Sequence, residues 1–105
     1  MTETAKQMKV ERHYIAEMSI YKFGAINDLV MEVHERPRSE ASHDRFYAHF
    51  KHAEVKEGIA LSGKFGNGRT EREAIQNYAK EISMQRLVID AMSPERRELT
   101  VPRLV

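Results

Sequence analysis

Residues 46–82 read FYAHFKHAEVKEGIALSGKFGNGRTEREAIQNYAKEI, and the reading of this stretch decides the fold. Phe46, Ala48 and Phe50 alternate with Tyr47, His49 and Lys51, a period of two that marks a half-buried strand, so residues 46–55 are expected as one strand. Lys56, Glu57 and Gly58 then turn the chain. Ile59, Leu61, Gly63 and Phe65 alternate with Ala60, Ser62 and Lys64, which completes an antiparallel hairpin. After Gly66, Asn67 and Gly68, read as a glycine turn, the period becomes that of a helix. Thr70 and Glu73 supply a T-x-x-E capping box, in which each side chain reaches the other's orphan backbone N–H. Ala74, Ile75, Tyr78, Ala79 and Ile82 fall on one face, with Arg72, Gln76, Asn77, Lys80 and Glu81 opposite. A main helix is predicted over about 70–84.

Working outward, residues 14–23 are rich in β-branched and aromatic side chains, Gly24, Asn27 and Asp28 carry turn chemistry, and residues 29–34 resume a strand-like run. These two runs predict another hairpin. Residues 1–12 form a polar tail ahead of a single α+β domain over 13–105. Residues 37–44, short, polar and opened by Pro37, are expected as a mobile loop. On the C-terminal side, Leu87, Val88 and Ile89 read as a strand, Ser93, Pro94 and Glu95 as a turn, and Leu99 to Val101 as a strand that stops at Pro102. Antiparallel strands cannot bury their apolar face alone. The expected fold is therefore α+β: an antiparallel β-sheet of hairpins packed against one main helix, with a C-terminal β-hairpin.

With 105 residues the chain suits one core rather than two. Seventeen Lys and Arg stand against sixteen Asp and Glu, a net charge of +1, which leaves no long-range field to steer a polyanion or polycation. Runs such as Glu71, Arg72, Glu73 and Glu95, Arg96, Arg97, Glu98 intersperse the signs, as a solvated surface does. The mild basic surplus lies at Arg36, Arg38 and Arg45. The absence of cysteine removes disulfides, thiolate zinc sites and a cysteine nucleophile, and points to the cytoplasm. No run approaches the roughly 20 apolar residues of a spanning helix, so no membrane contact is expected.

Residues 63–70 come within one substitution of the G-x-x-x-x-G-K-[ST] phosphate loop, with Arg69 in place of the lysine. A phosphate loop normally follows a buried parallel strand, whereas the strand before this one alternates as an antiparallel strand does. The milder reading is that backbone N–H groups at the helix start, with Arg69 and Arg72, hold a partner's phosphate or carboxylate. Of the five histidines, His49 and His52 are three apart on the expected strand and so point to opposite faces. No local ligand pair results, and neither a metal site nor a cofactor is expected. Ser39, Ser42, His43 and Asp44 crowd one loop and are read as loop residues rather than a nucleophilic triad. The six methionines are read as core filling.

The stretch 46–82 resembles the β-β-α end of double-stranded-RNA-binding domains, which run from a strand through a G-x-G turn into an alanine-containing helix. It is similar also to the amino-terminal module of HicB-type antitoxins, in which a tyrosine-bearing hairpin leads to G-x-T-x-E-E-A. The first resemblance implies cations that clamp phosphates at the start of the last helix. The matching positions here read Thr70, Glu71, Arg72, Glu73 and Ala74, and two acids there oppose phosphate. In overall character the chain is similar to small accessory proteins encoded by bacteriophages, which implies binding to and inhibition of host or defence machinery in the cytoplasm of a bacterial host.

Every catalytic constellation considered lacks a necessary partner, so the chain is expected to be a non-enzymatic binding protein. The expected contact residues for a host or defence protein are Arg36, Arg38, Arg45, Asn67 and Arg69. The alternative is a nucleic-acid-binding module that contacts phosphates through Lys51, Lys64, Arg69 and Arg72. Edge strands in so small a sheet also leave a homodimer open.

Overall fold

The computed structural model describes residues 17–38 and 44–105. The expected tail over 1–12, and most of the expected loop over 37–44, lie outside the described residues.

The chain is an α+β fold with a C-terminal hairpin, in the order β1 (Glu17–Met18), α1 (Ile20–Ile26), β2 (Met31–Glu35), β3 (Phe46–Phe50), β4 (Ala53–Glu57), β5 (Ala60–Ser62), β6 (Gly66–Gly68), α2 (Glu71–Ile82), β7 (Arg86–Ile89), β8 (Arg97–Thr100) and β9 (Arg103–Leu104). The strands make two antiparallel sheets, β2-β3-β6 and β5-β4-β7-β8, and a short parallel pair of β1 with β9.

The main helix forms as its pattern dictates. Thr70 is its N-cap and accepts from the Glu73 N–H at 3.1 Å, and Ala74, Tyr78, Ala79 and Ile82 are buried. The β4–β5 hairpin turns at Gly58, whose φ of 62° is the left-handed conformation that favours glycine. The β7–β8 hairpin brackets the turn expected at Ser93.

Three sequence expectations are corrected. Residues 20–26 are helical, not part of a strand: Ser19 caps them, accepting from the Lys22 N–H at 3.1 Å, and Ile20, Phe23 and Gly24 are the buried positions. That spacing is helical, and a strand would have placed Lys22 on the same face as Ile20. With no strand before it, β2 pairs instead with β3, in the register Met31↔Phe50 to Glu35↔Phe46. The strand expected over 46–55 breaks at Lys51 and His52. His52, at φ 58°, redirects the chain from the first sheet into the second.

Third, Gly66, Asn67 and Gly68 are not a turn but a strand, paired to β3 as Ala48↔Gly66 and Phe46↔Gly68. A Cβ at Gly66 would overlap the backbone of Ala74 and Tyr78, and one at Gly68 the backbone of Glu73 and Ala74. The two glycines let β6 lie directly against α2. The Asn77 side chain donates to the Asn67 carbonyl at 2.6 Å and ties the pair together.

One core serves both sheets. Ile20 and Phe23 of α1, Phe50, Val55, Tyr78, Ile82, Leu87, Ile89, Val101 and Leu104 form a single buried cluster. Phe50 meets Tyr78 edge-on at 5.6 Å between centroids. The face of β2-β3-β6 that carries Ala48, Phe50 and the two glycines turns toward α2, so the opposite face carries Glu32, His34, Tyr47, His49 and Asn67.

Candidate functional site

Alternation along β2 and β3 sets the outer face of the first sheet. Directly opposite residues of an antiparallel pair share a face, so Glu32 stands beside His49 and His34 beside Tyr47. The rings are nearly parallel: His34 and Tyr47 lie 4.6 Å apart at 13°, and His34 and His49 lie 5.1 Å apart at 17°. Phe65 meets Tyr47 edge-on at 5.8 Å. The Arg36 guanidinium sits 4.8 Å from the Tyr47 ring centroid, a cation–π contact.

Arg36 is held from several directions. It donates to the Asp44 carbonyl at 2.8 Å and to the Asn67 side-chain oxygen at 2.6 Å. Arg45 makes a close pair with Glu35, its Nε at 2.7 Å and its Nη2 at 2.6 Å from Oε1. Three residues expected as partner contacts, Arg36, Arg45 and Asn67, therefore come together at one end of the sheet. Arg69 is exposed just beyond β6 at that same end, and Arg38 is exposed in the turn after Pro37.

The cations expected to contact phosphates do not converge. Lys51 follows β3 at the end of the sheet opposite Arg69, Lys64 pairs with Glu57 at 3.2 Å, and Arg72 is exposed in the first turn of α2. The near-match to a phosphate loop also loses its geometry, because its glycines lie in β6 with their Cβ positions against helix backbone. Ser39, Ser42 and His43 lie outside the described residues.

Beside the aromatic row a cavity of about 620 Å³ opens between the two sheets, within the size range of small-ligand pockets. Tyr47, His49, Phe65, His52, Asp90 and Met92 are among its lining residues. Phe65 is 46% exposed and Met92 99%, so its rim offers apolar surface directly to solvent. His52 and Asp90, bonded at 3.1 Å through Nδ1 and Oδ1, close one side.

Sequence reasoning missed the grouping of Glu32, His34 and His49, because it paired 29–34 with 14–23. The available signal was alternation: Glu32 and His34 are two apart on one strand, and His49 is odd-numbered with Tyr47 on the next. Among the described residues no helix is long and apolar enough to cross a membrane. Comparison of the chain with protein-family models, curated proteins and solved structures gives no match.

Proposed function

We propose that this chain is a non-enzymatic binding protein that recognises a partner protein through the outer face of β2-β3-β6 and the adjoining cavity. The observation that carries the reading is the row Arg36, Tyr47, Phe65: it lies on the sheet face away from α2, its side chains are fixed by mutual stacking, and an apolar-rimmed cavity opens beside it. Tyrosine and arginine dominate binding hot spots, because they offer large contact area and lose little rotamer freedom when already ordered. Arg36, Arg45 and Asn67 supply a polar rim, and Phe65 and Met92 border the space for a partner's apolar anchor. The even charge balance suits a protein partner better than a polyanion.

Within this reading the chain modulates or inhibits its partner in the bacterial cytoplasm, in the manner of bacteriophage accessory proteins that act on host or defence proteins. The support for that step is the overall likeness in sequence character and the cysteine-free composition. The nucleic-acid alternative draws support from the stacked rings, which a base can extend, but its four cations are dispersed.

The test is affinity capture from bacterial lysate with nuclease-treated and untreated samples, comparing the natural chain with Arg36→Ala/Phe65→Ser and with Gln85→Ala on a distant exposed site. The expected result is a protein retained by the natural chain and by Gln85→Ala, insensitive to nuclease, and reduced about tenfold or more by the double variant, as loss of a hot spot implies. Equal retention by all three chains, or recovery that nuclease abolishes, overturns the reading.

A further inference from the structure

We propose that Glu32, His34 and His49 form a binding site for a divalent transition-metal ion of the zinc class, these three being the ligands that the described residues supply. This goes beyond the partner-binding reading and stands whether or not that reading does. One ligand atom from each of the three half-buried residues lies within 4.8 Å of the other two. The His34 and His49 Nε2 atoms are 3.2 Å apart, while their ring centroids are 5.1 Å apart, so the two nitrogens occupy facing edges of the rings. Two imidazole nitrogens that each lie about 2.0–2.1 Å from a tetrahedral ion are separated by roughly 3.3 Å. The observed distance matches that separation, and rotation of the two rings about their side-chain bonds turns both lone pairs toward one ion.

His49 is also oriented as a ligand is. His49 Nδ1 lies 2.9 Å from the Phe50 carbonyl oxygen, which only accepts, so the ring proton sits on Nδ1 and Nε2 carries a lone pair. Metal-ligating histidines are commonly fixed by a backbone carbonyl on the other nitrogen in this way. On its other flank His34 is stacked against Tyr47. Binding of the ion requires the tautomer in which His34 carries its proton on Nδ1, which leaves Nε2 with a lone pair. Glu32, the cross-strand partner of His49, adds the anionic ligand.

Two imidazoles and one carboxylate suit zinc, cobalt or nickel rather than magnesium or calcium, which prefer an all-oxygen shell. Three protein ligands leave the fourth position for water or an exogenous donor. His49 also lines the 620 Å³ cavity, so the site adjoins it.

The experiment is titration of the full chain with zinc by calorimetry and with cobalt by visible absorption, magnesium serving as the negative control. One ion per chain is expected, with His34→Ala and His49→Ala each weakening binding about 100-fold or more and Glu32→Gln about tenfold, in line with the cost of disturbing metal shells. His52→Ala should leave the affinity unchanged. Circular dichroism checks that the variants fold, and in the natural chain zinc should shift the ring resonances of His34 and His49 but not His52, which needs no variant. Absence of saturable binding, undiminished binding in a His34→Ala/His49→Ala chain, or loss of binding on changing His52 overturns the proposal.

Discussion

Gly66 shows how one residue type serves two different structural needs. A glycine pair between an alternating run and a helix reads as a turn, because glycine most often supplies positive φ there. Neither Gly66 nor Gly68 is among the positive-φ glycines. Their need is for space, since the α2 backbone occupies the volume a side chain would fill. Gly66→Ala should therefore destabilise the protein by about 3 kcal/mol or more, because backbone on both sides cannot rotate out of the way as a side chain can. Denaturant unfolding monitored by circular dichroism measures this. Gly58 gives the contrasting case: its φ was legible from the hairpin pattern around it, and nothing crowds its Cβ position.

At the level of elements, α2 was legible because its information is local. The Thr70 cap, the Glu73 N–H it holds and the apolar stripe all lie within twelve residues or so of one another. Thr70→Ala should cost about 1 kcal/mol, read as a lowered denaturation midpoint with unchanged denaturant slope. Helix α1 was not legible for the complementary reason. Its seven residues span two turns, too short for a period of 3.6 to be told from a period of two when Ile20, Tyr21 and Phe23 are all good strand residues. What decides for helix is that Ile20 and Phe23 reach the shared core only on that spacing. The consequence passes to β2, which then takes β3 as its neighbour.

Across the whole molecule, two sheets are joined at a corner where both strand exits use left-handed residues, His52 at 58° and Asp90 at 53°. The Asp90 N–H donates to the His52 carbonyl at 3.1 Å, so the corner is locked by backbone as well as by its side-chain pair. Tyr78 is buried in the core the sheets share. Burial pushes its hydroxyl up to about 12, a hydrogen bond with the Phe50 backbone opposing this in part. Folding thus favours the neutral phenol. Stability from this group is intact below the ordinary value near 10 and is lost as pH rises from there through about 12. The loss is on the order of 2–3 kcal/mol. Tyr78→Phe should flatten that alkaline decline in stability, measured by denaturant unfolding at a series of pH values, while costing about 1 kcal/mol near neutrality for the missing hydrogen bond. At the opposite surface of the second sheet, Lys56 at 3.0 Å hydrogen-bonds Glu98 and attracts it electrostatically, with Arg86 and Arg96 nearby, and these hold its carboxyl below the usual range.

The amino-acid sequence by itself determined the α+β class, the capped helix that starts after Thr70, the turn at Gly58 and the closing hairpin, because capping, turn chemistry and periodicity act between residues only a few positions apart. It also determined that Glu32 and His34 share a strand face. Only the tertiary structure decided that this face meets His49, that Arg36 lies over Tyr47, and that a cavity opens between the sheets. Strand pairing is a competition among distant apolar faces for one core, and its outcome depends on whether residues 20–26 enter that core as helix or as strand.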